Sequence, residues 1–326
     1  MVVAGDGASQ AARLAAEAGR WPLFAEPSSR ARTGPAVVSA YRLLLQASPL
    51  AGEIERVLVF GHPTLSRPIA KLLARPDVEL IVVAPTGLWP DPARRAASVV
   101  SGLTVTGPDT TGWLQRWQDA DQAARPEIDK VLADRLSGPR VAALVGAAVG
   151  ADGMLVVASS NPVRDLDLAP VVPIRTIANR GLAGIDGTVS SAIGAALGRP
   201  HSTRAIAYVG DVTFLHDATA LFIGAHEGRP DLTIVVANDN GGSIFATLEQ
   251  GAPEHAASYD LLFGTPHGVD LASLCAATRT PHWRVTERSE LEHALASPNG
   301  GLEVIEALVR RDNRRSLDEQ IRALAR

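Results

Sequence analysis

Asp211 and Asp239 are the two residues whose type and spacing most readily suggest chemistry. The stretch between them predicts a strand over Ala205–Val209, a helix over Asp217–Gly228, a second strand over Leu232–Ala237 and then a glycine turn. The strands of such a βαβ unit run parallel and end on the same edge of the sheet. Both carboxylates therefore leave the carboxyl ends of neighbouring strands, where open α/β sheets bind ligands. A carboxylate pair beside Gly210, Gly241 and Gly242 suits a hard cation that also holds a phosphate. Mg²⁺ is typically held by one or two carboxylates plus substrate phosphates. The glycines let backbone approach closely, the Gly241 carbonyl can add a ligand, and N–H groups after Asp211 can receive phosphate oxygens. Spacing alone leaves a second reading open, two strand-end turns with acidic caps.

The elements that must position these residues follow from the pattern of apolar runs. Val57–Val59, Leu80–Val83, Met154–Ala158, Ile206–Val209, Leu232–Ala237 and Leu302–Ala307 read as buried strands, and Ala/Leu/Arg-rich stretches with helical spacing lie between them. Met1 leads almost directly into another strand. This alternation implies an α/β fold with doubly wound parallel sheets. At 326 residues the chain is long enough for two domains. The polar, tryptophan-bearing segment within Thr110–Pro139 places the boundary so that residues 1–120 form one domain and 121–326 the other.

Composition narrows the functions open to the protein. A formal charge of −4 and a pI near 6.1 argue against nucleic-acid or anionic-membrane binding. No apolar run has the length of a membrane span, and the amino terminus lacks the pattern of a signal peptide. One cysteine, Cys275, can form neither an internal disulfide nor a thiolate zinc site, which fits the cytoplasm. It is expected to be buried and inert. Gly5-Asp6-Gly7 resembles a dinucleotide loop, with Glu26 at a plausible offset, but Gln10 stands where the third glycine should be. A plain β–α turn is the reading there. Ser289-Glu290-Leu291-Glu292 predicts a capping box, and the Arg310, Arg311, Arg314 and Arg315 run a solvated helix face.

Gly210-Asp211 followed by Asn238-Asp239-Asn240-Gly241-Gly242 resembles the metal motif of thiamine-diphosphate enzymes. SSNPVRDLDL (159–168), NRGLAGIDGTVSSAIGAALG (179–198), GDVTFLHD (210–217), NDNGGSIF (238–245) and FGTPHGVDL (263–271) occur in order. Together they resemble the SEPHCHC synthase (MenD) family of menaquinone biosynthesis, most strongly from Met154 to Leu271. The resemblance implies a central domain followed by a diphosphate-binding domain. It also implies thiamine diphosphate as cofactor, with Mg²⁺, or Mn²⁺ in its place, held by Asp211, Asp239 and the Gly241 backbone oxygen. Asparagine is the commoner residue at position 239. Gly210, Val212 and Thr213 would line the diphosphate, Ile185 would prop the cofactor into its bent form, and Ile244 and Phe245 would pack near its thiazolium ring.

The activity so implied is a transferase reaction that decarboxylates 2-oxoglutarate and adds the succinyl unit to isochorismate, releasing CO₂. Both substrates are dianions, so arginine forks are required. By resemblance Ser160, Arg164 and Arg180 would bind carboxylates, with Arg67 of GHPTLSR the less secure match. His267, in TPHG, is typical of the family without a role that follows from it. A homo-oligomer, dimer or tetramer, is implied because family active sites form between subunits. The family's pyrimidine-binding domain, with its cofactor-activating glutamate, would precede Met1. The expectation is therefore an amino-terminally truncated fragment, inactive alone and rescued by that domain. Two alternatives carry the same half-site: another 2-oxoacid-using thiamine-diphosphate enzyme, such as an acetolactate-synthase relative, and a non-catalytic binding module.

Overall fold

The structure, a computed structural model, describes residues 1–133, 136–199 and 203–324. Two compact units divide the chain. The first comprises Met1–Val131, Pro170–Pro173 and a carboxyl-terminal segment from Gln320; the second comprises Leu132–Ala169 and Ile174–Glu319. The boundary expected after residue 120 falls inside a helix, Trp113–Val131, that belongs to the first unit. Residues 134 and 135 of the expected break lie outside the described residues.

In the first unit five parallel strands, β1 (Val2–Ala4), β2 (Leu23–Ala25), β3 (Arg56–Phe60), β4 (Glu79–Val83) and β5 (Ala96–Val100), lie in the order β2-β1-β3-β4-β5. Side chains alternate between the two faces, as a period of two requires. Val3, Val57, Val59, Leu80 and Val82 pack with Tyr41, Leu72 and Trp117. Val2, Ala4, Leu58 and Phe60 face the alanines of the helix Ser9–Gly19. The 5–7 segment is a plain turn, its Asp6 N–H donating to the His62 carbonyl at 3.0 Å. Glu26 is buried, and its Oε1 accepts from the Thr64 and Leu65 N–H groups at 2.9 and 2.8 Å, so it holds a loop. The carboxyl ends of β1, β3 and β4 open onto a cavity of about 770 Å³ lined by Asp6, Ser9, His62 and Trp89.

In the second unit six parallel strands, β6 (Met154–Val157), β7 (Arg175–Ile177), β8 (Ala205–Gly210), β9 (Leu232–Asn238), β10 (His282–Val285) and β11 (Leu302–Leu308), take the order β10-β11-β9-β8-β6-β7. One face of β6, β8, β9 and β11 packs on the helix Thr188–Leu197 and on Phe214, Leu221, Leu271 and Cys275. The expected strands are all present; β2, β5, β7 and β10 escape a sequence reading because they are short or carry exposed polar residues, as in Ala96–Val100.

Three local expectations need correction. No helix spans 217–228: the helix after β8 is Asp211–His216, followed by a 3₁₀ turn at Ala218–Leu221. Gly224, Gly228 and Pro230 disfavour a longer helix, and both Asp217 carboxylate oxygens accept from Ser190, from its N–H at 2.7 Å and its hydroxyl at 2.9 Å. The capping box of helix Arg288–Ala296 starts at Glu287, with Glu290 reaching back to the Glu287 N–H, and not at Ser289. Arg314 is not on a solvated face; its side chain is largely buried and pairs with Asp165 at 2.6 Å.

Candidate functional site

Register builds the site. In the β8–β9 pair Gly210 stands opposite Ala237, so Asp211 and Asp239 leave adjacent strands on one edge. Asp211 is buried at the first turn of its helix. Its Oδ1 accepts from the Val212 N–H at 2.7 Å, and its Oδ2 from the Gly241 N–H at 2.9 Å and from His267 Nε2 at 3.1 Å. The Val212 N–H, expected to face phosphate, is thus taken by Asp211 itself. Asn238 shapes the turn: its Oδ1 accepts from the Asn240 N–H at 2.9 Å, and its Nδ2 donates to buried Glu306 at 2.6 Å.

Glycine is required where this turn meets the 263–265 backbone. Gly241 has φ of 141°, and a Cβ on it would lie 2.1 Å from the Gly264 carbonyl oxygen; one on Gly242 would lie 2.3 Å from that of Phe263. At Gly210 a Cβ would meet nothing within 4 Å, so open space lies beside the 210–211 peptide. The Gly241 carbonyl accepts from the Ser243 N–H at 3.1 Å and keeps a second lone pair.

Asp239 carries the electrostatic tension. Burial, and then the neighbouring charge of Asp211, push its carboxyl up to about 7, against the opposing Ser243 hydrogen bond and Arg314 charge. Ser243 donates to Oδ2, while Oδ1 is buried without a hydrogen-bond partner. A buried oxygen left this way is costly, and a dication beside both carboxylates would relieve it. The residues therefore fit a divalent cation. Among the described residues no group of three or more His, Cys, Asp or Glu side chains forms a metal cage, so further oxygens must come from backbone, water or phosphate.

Next to β8 the carboxyl end of β6 supplies a cationic cluster. Ser160 sits at φ 71°, ψ −136°, a sparsely populated conformation for a residue other than glycine and one that tends to mark functional turns. Its carbonyl accepts from Arg164 Nη1 at 2.7 Å, and Arg180, itself buried, donates from Nη1 to Ser159 Oγ at 3.1 Å. Asn161 Nδ2 donates to Ser243 Oγ at 2.8 Å and joins this cluster to Asp239. Ile185 lies half-buried on the loop before helix Thr188–Leu197, outside the core cluster. Thr213 is buried and Val212 half-buried. Ile244 and Phe245 form a 3₁₀ turn, with Phe245 partly exposed and its ring 5.6 Å from that of Phe263.

The second unit carries every expected site residue except Arg67, which is exposed at the first residue of helix Arg67–Leu73 in the first unit; Ile185 stands on its own loop. Asn161, Ser243 and the Asp165–Arg314 pair were missed, although three of the four stand in the motif segments. Their roles depend on which strands are neighbours. Among the described residues no helix is long and apolar enough to cross a membrane.

Comparison with known proteins shows what the chain is similar to. Residues 166–306 match the C-terminal TPP binding domain of thiamine pyrophosphate enzymes. A 2-succinyl-5-enolpyruvyl-6-hydroxy-3-cyclohexene-1-carboxylate synthase of Nocardioides sp. is 57% identical over 99% of this chain and 63% of its own length. Synthases of the same name from Kineococcus radiotolerans and Arthrobacter sp. are 48% and 44% identical over 100% and 99% of the chain, and over 61% and 56% of their own lengths. The chain spans about three fifths of the length of these relatives. Over nearly the whole of its own length the chain is thus similar to 2-succinyl-5-enolpyruvyl-6-hydroxy-3-cyclohexene-1-carboxylate synthases, and its segment matching the thiamine pyrophosphate binding domain covers both converging carboxylates.

Proposed function

We propose that the carboxyl edge of the second unit is the metal–diphosphate half of a synthase site that joins the succinyl unit of 2-oxoglutarate to isochorismate with loss of CO₂. The observation that carries this reading is the convergence of Asp211 with Asp239, whose Oδ1 is buried without a partner. Asp211, Asp239 and the Gly241 carbonyl would hold Mg²⁺, and the open space at Gly210 leaves room beside them for a diphosphate. Bound thiamine diphosphate supplies the carbon centre at which a 2-oxoacid loses CO₂. Val212 and Thr213 line the diphosphate, and Ile185 supports the cofactor from its loop. Ile244 and Phe245 supply an apolar wall that keeps water from the reacting carbon.

Ser160, Arg164 and Arg180 bind substrate carboxylates, for which the planar guanidinium offers paired donors. Arg67, exposed in the first unit, is retained as a substrate-binding residue on its motif alone. The working form is a homodimer or tetramer, supported by the exposed Leu182, Phe222, Leu261 and Leu262 on segments that follow β7, β8 and β9. The single, buried Cys275 suits the reducing cytoplasm.

The test is calorimetric titration of thiamine diphosphate in Mg²⁺, with CO₂ release from 2-oxoglutarate measured with and without isochorismate. Asp211→Ala should abolish Mg²⁺-dependent cofactor binding, while Asp239→Asn keeps it because an amide oxygen still ligates. Unchanged cofactor affinity in Asp211→Ala would remove the half-site. CO₂ release indifferent to isochorismate would favour a different acceptor.

A further inference from the structure

We propose that His267 is a positioning residue for the metal site: it holds the Asp211 carboxylate so that a single lone pair remains for the cation. The inference rests on Asp211 being a metal ligand, as argued above, and concerns a side chain that makes no contact with substrate in that reading. The Val269 N–H donates to His267 Nδ1 at 3.0 Å. Nδ1 is therefore the acceptor, the ring proton sits on Nε2, and Nε2 donates to Asp211 Oδ2 at 3.1 Å. The Gly241 N–H takes the other position on Oδ2 at 2.9 Å, and the Val212 N–H takes one on Oδ1 at 2.7 Å. A carboxylate has about four acceptor positions, so these three donors leave one, on Oδ1.

The backbone that carries His267 is itself fastened to the other ligand turn. The Gly268 N–H donates to Asn240 Oδ1 at 2.8 Å, and the Gly264 carbonyl accepts from the Gly242 N–H at 2.8 Å. On its far side Asp270 caps helix Leu271–Ala277 by accepting from the Ser273 N–H at 3.0 Å. The imidazole is therefore delivered from a segment pinned at both ends and tied to the Asp239–Gly242 turn. Both metal-bearing turns are in this way set by one loop, and His267 is the only side chain it sends to Asp211 among the described residues. Hydrogen bonds to ligating carboxylates of this kind typically contribute 10- to 100-fold in metal affinity.

The experiment is electron paramagnetic resonance titration of Mn²⁺ into the EDTA-stripped full protein at saturating thiamine diphosphate, comparing wild type with His267→Ala, His267→Gln and Asp211→Ala. Thermal unfolding in EDTA is followed in parallel. We expect His267→Ala to weaken Mn²⁺ by about 10- to 100-fold with its metal-free melting temperature kept, and His267→Gln, whose amide can still donate, to recover most of that affinity. If Asp211→Ala loses Mn²⁺ while His267→Ala binds it as wild type does, the positioning role is wrong and the half-site stands. If Asp211→Ala also binds as wild type, the half-site itself is wrong. Failure of glutamine to rescue a weakened alanine variant overturns the hydrogen-bond argument in favour of simple packing.

Discussion

Removing Arg314 should cost the second unit more than any surface substitution, because the ion pair it forms is out of water. Arg314 donates from both terminal nitrogens to Asp165, at 2.6 and 3.1 Å, and the two side chains are 13% and 3% exposed. The packing around the pair is tight: a Cβ on Gly138 would lie 2.3 Å from Asp165 Oδ2, and the Gly138 carbonyl accepts from the buried Tyr208 hydroxyl at 3.0 Å. Arg314→Met leaves the Asp165 carboxylate buried without this partner, a change that typically costs about 3–5 kcal/mol. For a unit of about 150–250 residues each kcal/mol lowers the transition by about 2–4 °C, so a fall of roughly 6–20 °C is expected. Differential scanning calorimetry and urea unfolding should both report it. Asp165→Asn should lose a comparable amount. The double variant Asp165→Leu/Arg314→Met should lose much less than the sum, since two apolar residues carry no stranded charge. A loss below about 1 kcal/mol in Arg314→Met, the value of a solvated surface pair, would refute the assignment of this pair as desolvated.

Arg164→Lys and Arg180→Lys should each weaken use of 2-oxoglutarate or isochorismate by about 2–5 kcal/mol with Mn²⁺ affinity unchanged; wild-type kinetic constants with both substrates would take these arginines out of the pocket. Glu306 is buried, which by itself raises its carboxyl, but hydrogen bonds from His282, Asn238 and Arg284 hold it below the ordinary 4.5. Its contribution to stability is therefore full above that ordinary value and is lost as pH falls through the lowered one. The midpoint in urea should drop more steeply with acid in wild type than in Glu306→Gln, and parallel profiles would disprove it. Burial, with added repulsion from Glu306 and Asp270, pushes the Cys275 thiol up to about 11, so about 0.1% is thiolate at pH 8. Labelling by a disulfide reagent should wait for denaturant, and rapid reaction of the native protein would contradict this.

The sequence by itself determined the two α/β units, the parallel strands and the edge on which Asp211 and Asp239 meet. Those features follow from local pattern: continuous β-branched runs mark strands buried on both faces, and a crossover between parallel strands has one usual geometry. It also placed Ser160, Arg164 and Arg180 in motif segments that the fold then gathers at the end of β6. What it could not decide was anything set by partners distant along the chain. Arg314 reads as one more arginine in a charged run until the fold sets it on Asp165, and His267 reads as a loop histidine until the 264–269 segment crosses the end of β8. Glu26 and Asp217 sit in motif-like positions but are consumed by backbone and side-chain donors of other segments. The physical reason is common to all of these. A polar side chain's role is settled by which donors and acceptors lie within about 3 Å of it, and for these residues the neighbours come from segments the local pattern does not connect.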